Sequence, residues 1–187
     1  FLANQRDRGL QIESVGALPY VLWNTVGGVG NFQMAYGSVQ VLMTGAQPIA
    51  LALTIIGAAV VALVAWWRLR GRLETVPPGD VALAVMVASV VASRVYSPQF
   101  NVWLVGLAAV ALLDRATRMR LVAALVVVVS LVTQVIYPWS ATQLKEGGVL
   151  AVSAQSVRIT VIVIAAIVAL VAIRRQPRDS RPAQPPG

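Results

Sequence analysis

Cysteine and histidine are both missing from these 187 residues, which excludes disulfides, thiol catalysis, imidazole bases and Cys/His metal sites within them. Any acid, base or metal ligand must be a carboxylate, and Asp and Glu together number only seven. Lysine is nearly absent as well: Lys145 is the only one, so a net charge of +8 rests on arginine. Charged residues make up 12% of the chain against 58% apolar ones. That balance excludes an ordinary soluble domain and fits a polytopic helical membrane protein. There is also no initiator methionine and no signal-peptide pattern; the polar opening at Phe1 reads as the middle of a longer protein, of which we expect this to be the C-terminal part.

What is present is a series of apolar runs. Hydropathy outlines five candidate spans, Pro48–Trp67, Val81–Tyr96, Gln99–Leu113, Leu121–Tyr137 and Val157–Ile173, each closed by charge, Pro or Gly. As one helix, Val81 to Leu113 would be about 50 Å long, too much for one crossing, so a turn at Ser97-Pro98 is expected. Arginine placement sets the expected orientation. Arg68, Arg70 and Arg72, then Arg115, Arg118 and Arg120, then Arg174, Arg175, Arg178 and Arg181 all fall on one side of a five-span chain, ten of the fifteen basic residues. The other side keeps Arg6, Arg8, Arg94, Lys145 and Arg158, and it carries an aromatic belt of Tyr20, Trp23, Tyr96, Trp103, Tyr137 and Trp139.

Residues 1–47 differ in kind from the rest. They are too polar to span and are expected to form a partly irregular extracytoplasmic segment, with a short interfacial or re-entrant helix at Leu18 to Trp23 and a strand at Ser38 to Leu42. Residues 48–173 form the expected transmembrane bundle, and 174–187, rich in Pro and Arg, a disordered basic cytoplasmic tail. The fold class expected is therefore an all-α polytopic bundle in the plasma membrane, with the C-terminus cytoplasmic.

Two polar clusters share the extracytoplasmic side: Arg6 to Ser14 and Arg94 to Asn101. If the first is helical, Arg8, Gln11 and Ser14 lie on one face, suited to phosphate or sugar hydroxyls; the alternative is a solvated loop. Arg94 either snorkels to lipid headgroups or holds a lipid-linked phosphate bidentately while the lipid tail lies between helices. Gln99 and Asn101 offer partners to hydroxyls, or else satisfy backbone groups freed by Pro98.

At these residues the chain resembles a known family. Arg8-Gly9-Leu10-Gln11-Ile12-Glu13-Ser14, and Ser97-Pro98-Gln99-Phe100 followed by Trp103-Leu104, look like signatures of the actinobacterial polyprenol-phosphate-mannose-dependent mannosyltransferases, multi-span enzymes of the GT-C class. The resemblance implies transfer of a sugar, mannose in the family, from a polyprenyl-phosphate donor to a lipid or glycan acceptor on the extracytoplasmic face, with inversion. The donor-binding residues it implies are Arg94, Ser97, Gln99, Arg8, Gln11 and Glu13, with no metal ligand or cofactor identified. The family's catalytic Asp follows the first span and has no counterpart here, so it is expected upstream. Phe100 stands where tyrosine is common in the family, and Arg94 near a position where lysine is frequent. Membrane lipids are expected partners, and nucleic acid is not. The competing reading is a non-enzymatic transporter or lipid-binding protein in which Arg94 and Glu13 line a pathway; a scaffold without a ligand is a third.

Overall fold

The computed structural model describes residues 9–175. Arg8 and the 176–187 tail, for both of which the sequence carries expectations, lie outside the described residues. The chain is mostly helical. In order it contains strand β1 (Leu10–Gln11), a 3-10 turn (Val15–Ala17), helix α1 (Leu18–Thr25), strands β2 (Phe32–Ala35) and β3 (Ser38–Val41), and helices α2 (Ala46–Leu69), α3 (Pro78–Val91), α4 (Phe100–Leu112), α5 (Arg120–Ile136), α6 (Ala141–Glu146) and α7 (Val149–Arg174).

Two of these helices, α2 and α7, are long and apolar enough to cross a membrane, with mean hydropathy 2.6 and 2.7. Their 24 and 26 residues correspond to about 36 and 39 Å of helix. Helices α3, α4 and α5 are equally apolar in character but run only 14, 13 and 17 residues, about 20 to 26 Å. The shortfall has a local cause. α3 stops at Val91 and α4 starts at Phe100, so the whole of 92–99 is non-helical, where hydropathy continued the helix to Tyr96. In the other direction α7 starts at Val149, eight residues before the hydropathy boundary at Val157.

α5 and α7 pack most extensively, α3 lies against both α7 and α4, α4 against α5, and α2 touches the group through α3. The buried positions of α7 (Ala151, Ala154, Arg158, Ile162, Ala165, Ala169, Ile173) recur every three or four residues, which puts them on one stripe. Alanine at four of them lets the neighbouring helices approach closely. Gly79 acts similarly: a Cβ there would stand 3.0 Å from the Ala111 Cα, where the first turn of α3 meets the end of α4. One core runs along α3, α4, α5 and α7, while a second is built by Leu10, Ile12, Val21, Phe32 and Val41 against Ile136, Leu144 and Val152.

That second core corrects the reading of the N-terminal segment. Leu10 and Gln11 are extended and 12–13 is a turn, closed by the Ser14 amide on the Gln11 carbonyl at 3.0 Å, so Gln11 and Ser14 are not on a common helical face. β1 pairs with β3 and β3 with β2, all antiparallel, in a small three-stranded sheet. Gln11, Ile12, Glu13 and Ser14 are all buried, and the solvated-loop alternative fails for them. α1 and β3 occur where the sequence placed a short helix and a strand. Of the aromatic belt, Trp23, Trp103 and Trp139 are exposed, whereas Tyr96 is completely buried.

The connections alternate between two ends. Asp80, in the first turn of α3, accepts from the Thr117 hydroxyl at 2.6 Å and the Arg118 amide at 3.1 Å, and Arg118 donates to the Arg175 carbonyl. This end therefore collects the arginine clusters. The sheet, the 92–99 connection and α6 meet at the other.

Candidate functional site

Breaking a helix inside an apolar bundle frees backbone groups that need partners. At 92–99 most of those partners come from remote segments. The Tyr96 amide donates to Gln11 Oε1 at 3.1 Å, and the Gln11 amide donates to the Arg94 carbonyl at 3.0 Å. Arg158 Nη2 donates to the Tyr96 carbonyl at 3.1 Å. Ser93 Oγ accepts from the Val95 amide. The role the sequence offered to Gln99 and Asn101, satisfying this turn, is carried instead by Gln11, Ser93 and Arg158. Asn101 links elements: it accepts from the Tyr96 hydroxyl at 3.3 Å and donates to Thr133 Oγ1 at 2.8 Å.

The same turn forms one wall of a cavity of about 460 Å³. Gln11, Ile12 and Glu13 supply a second wall, the β2–β3 hairpin (Met34, Gly37, Ser38, Val39) a third, and Tyr137 with Ala141, Thr142 and Lys145 the fourth. Four of the six expected donor-binding residues, Gln11, Glu13, Ser97 and Gln99, thus line a single space. Ser97 Oγ sits 3.3 Å from Gln11 Nε2, and Gln99 is exposed at the rim. Arg94 does not join them. Its side chain lines a groove of about 600 Å³ between α2 and α3, on a surface of small residues including Gly57, Ala58, Ala62, Ser89 and Ala92. Arg8 lies outside the described residues.

Among the described residues Glu13 is the one carboxylate of the cavity, and it is only 4% exposed. Tyr137 donates its hydroxyl to Oε1, whereas Oε2 is buried with no hydrogen-bond partner among the described residues. Burial pushes the carboxyl above its ordinary value; a backbone amide, the Arg158 charge and the Gln11 amide each draw it part of the way back. The Glu13 carbonyl accepts from Gln155 Nε2 at 2.8 Å, and Gln155 Oε1 accepts from Arg158 Nη1 at 3.1 Å. Arg158 also stacks 3.9 Å above the Tyr96 ring.

Arg158 is the residue that sequence reasoning missed, having counted it only as one more basic group on the extracytoplasmic side. It is fully buried. The available signal was its position as a lone charge ahead of fifteen uncharged residues, since an ionisable group inside an apolar helix is rarely idle. Lys145 was likewise counted for topology, yet it supplies the cavity's cation among the described residues. Among the described residues no group of three His, Cys, Asp or Glu could hold a metal ion. The arrangement suits a neutral polyhydroxylated ligand: amides and hydroxyls for its oxygens, one carboxylate acceptor, and one ammonium at the edge. Compared with protein-family models, curated proteins and solved structures, the chain matches none.

Proposed function

We propose that the chain is the donor-holding part of a membrane glycosyltransferase, GT-C-like, that moves a sugar, mannose by resemblance, from polyprenyl phosphate to a lipid or glycan acceptor. The observation that carries this reading is the convergence of Gln11 and Glu13 with Ser97 and Gln99, the two motifs of the resemblance, on one polar cavity. In this reading five helices cross the plasma membrane, the short ones held by their neighbours. The arginine-rich end is cytoplasmic and the cavity opens to the extracytoplasmic side. The apolar surface left open on α2, with Leu51, Ile55, Ile56 and Leu63 exposed, is compatible with lipid or further apolar protein.

Glu13, Gln11, Ser97 and Gln99 hold the sugar hydroxyls. In this reading the donor's phosphate meets Arg94 on the 92–99 connection, and its tail lies in the α2–α3 groove that Arg94 lines. An aspartate outside these residues, as the resemblance implies, deprotonates the acceptor hydroxyl, which attacks the anomeric carbon and displaces polyprenyl phosphate. The contribution of the described residues is positioning.

Membranes carrying the protein, supplied with radiolabelled polyprenyl-phosphate mannose and native acceptors, test this. Arg94→Ala should raise the donor KM about tenfold or more through loss of a charge-assisted contact, with Arg94→Lys intermediate. Gln11→Ala and Gln99→Ala should weaken donor use as well. Transfer that is indifferent to all three substitutions would remove the reading; changed uptake of a solute without transfer would favour the transporter.

A further inference from the structure

A fully buried arginine within an apolar helix, bonded to residues next to two walls of a polar cavity yet outside its lining, needs a reason. Its guanidinium has two hydrogen bonds, one to the Tyr96 carbonyl at the head of the Ser97-Pro98-Gln99 turn and one to Gln155, whose amide holds the Glu13 carbonyl. The Tyr96 ring covers its face at 3.9 Å. Both walls of the cavity that carry the motifs are therefore fastened to one cation.

The geometry points to Arg158 as a positioning residue of this cavity, which sets the turn through Tyr96 and the Glu13 segment through Gln155, and which brings a buried positive charge to bear on the Glu13 carboxyl where the hydroxyls of a neutral sugar would bind. This rests on the sugar-binding reading above. Among the described residues the groups around Glu13 are Tyr137 at the end of α5, bonded to it, Lys145 on α6, lining the same cavity, and Arg158 on α7, whose guanidinium lies over the Tyr96 ring. Lys145 is exposed at the rim and Arg158 is buried, so the buried charge is the less screened of the two. Glu13 Oε2, buried and without a hydrogen-bond partner among the described residues, is the acceptor such a hydroxyl would use. Without Arg158 the burial of Glu13 acts with less opposition, and the carboxyl takes up its proton at a higher pH.

The test reads the carboxyl itself. The chain has three glutamates, so infrared titration with carboxyl-13C glutamate, using Glu13→Gln to assign the band, resolves Glu13 in protein reconstituted without donor. In Arg158→Met its midpoint should move upward by about 1–3 pH units, the size expected from losing a nearby opposite charge. Arg158→Lys should stay closer to the parent. If Arg158→Met does not fold, Arg158→Gln removes the charge while keeping a donor for the Tyr96 carbonyl. An unmoved midpoint in the folded neutral variant overturns the inference. In transfer assays the neutral variant should show a raised donor KM at neutral pH that recovers as pH rises, with kcat little changed; a loss independent of pH would assign Arg158 to packing alone. A shifted midpoint in a protein that transfers no sugar would retain the charge pairing and remove the transferase.

Discussion

Replacing Gln11 with leucine removes the side chain that joins the two motifs while leaving a similar volume behind. The Tyr96 amide, buried and bonded to Gln11 Oε1 at 3.1 Å, would have no acceptor. An orphaned buried donor costs about 1–3 kcal/mol. The pairing with the half-buried Ser97 hydroxyl contributes a further ~0.5–1.5 kcal/mol. Leucine adds apolar contact in return, so the net expectation is a loss of about 2–3 kcal/mol. Ser97→Ala removes only the second part and should cost about 0.5–1.5 kcal/mol. Because both variants delete one shared contact, the double variant should cost less than their sum. Reversible unfolding in bicelles, followed by steric trapping, measures all three. A cost below about 0.5 kcal/mol for Gln11→Leu, or strict additivity, would refute the claim that Gln11 secures the turn.

Glu13 makes stability depend on pH. Its native value lies above the ordinary 4.5, so the folded state binds that proton more tightly, and stability present below pH 4.5 is lost as pH rises through the native value. Thermal unfolding in nanodiscs, read by tryptophan fluorescence across pH, should show the parent falling relative to Glu13→Gln through this window; parallel curves would count against it. Asp80→Ala deletes two charge-assisted hydrogen bonds at the arginine-rich end and should destabilise by about 3–5 kcal/mol, with the donor KM of the folded fraction unchanged. For topology, cysteines introduced at Gln33 and Gln143 in this cysteine-free chain should react with an impermeant maleimide applied to intact cells, while those at Thr75 and Ala116 should not. The inverse labelling pattern would place the cavity in the cytoplasm.

Hydropathy alone located α2, α4 and α5 to within a few residues, because the apolar content of a run and the charge that ends it are properties of consecutive residues. The alternation in Ser38–Val41 marked β3 for the same reason. The early end of α3 was not legible. Ala92 and Val95 are as apolar as what precedes them, and the chain leaves the helix where Gln11 and Arg158 offer its backbone other partners. Motif content singled out Gln11, Glu13, Ser97 and Gln99, yet only the tertiary structure put them around one cavity and set Arg94 apart in another groove. The contacts that decide this join residues 86, 124 and 142 positions apart, Gln11 to Ser97, Glu13 to Tyr137 and Glu13 to Gln155. A segment's affinity for lipid is written in its own residues. Whether a buried charge such as Arg158 is a topology marker or a tie between walls depends on which distant groups surround it, and packing determines that.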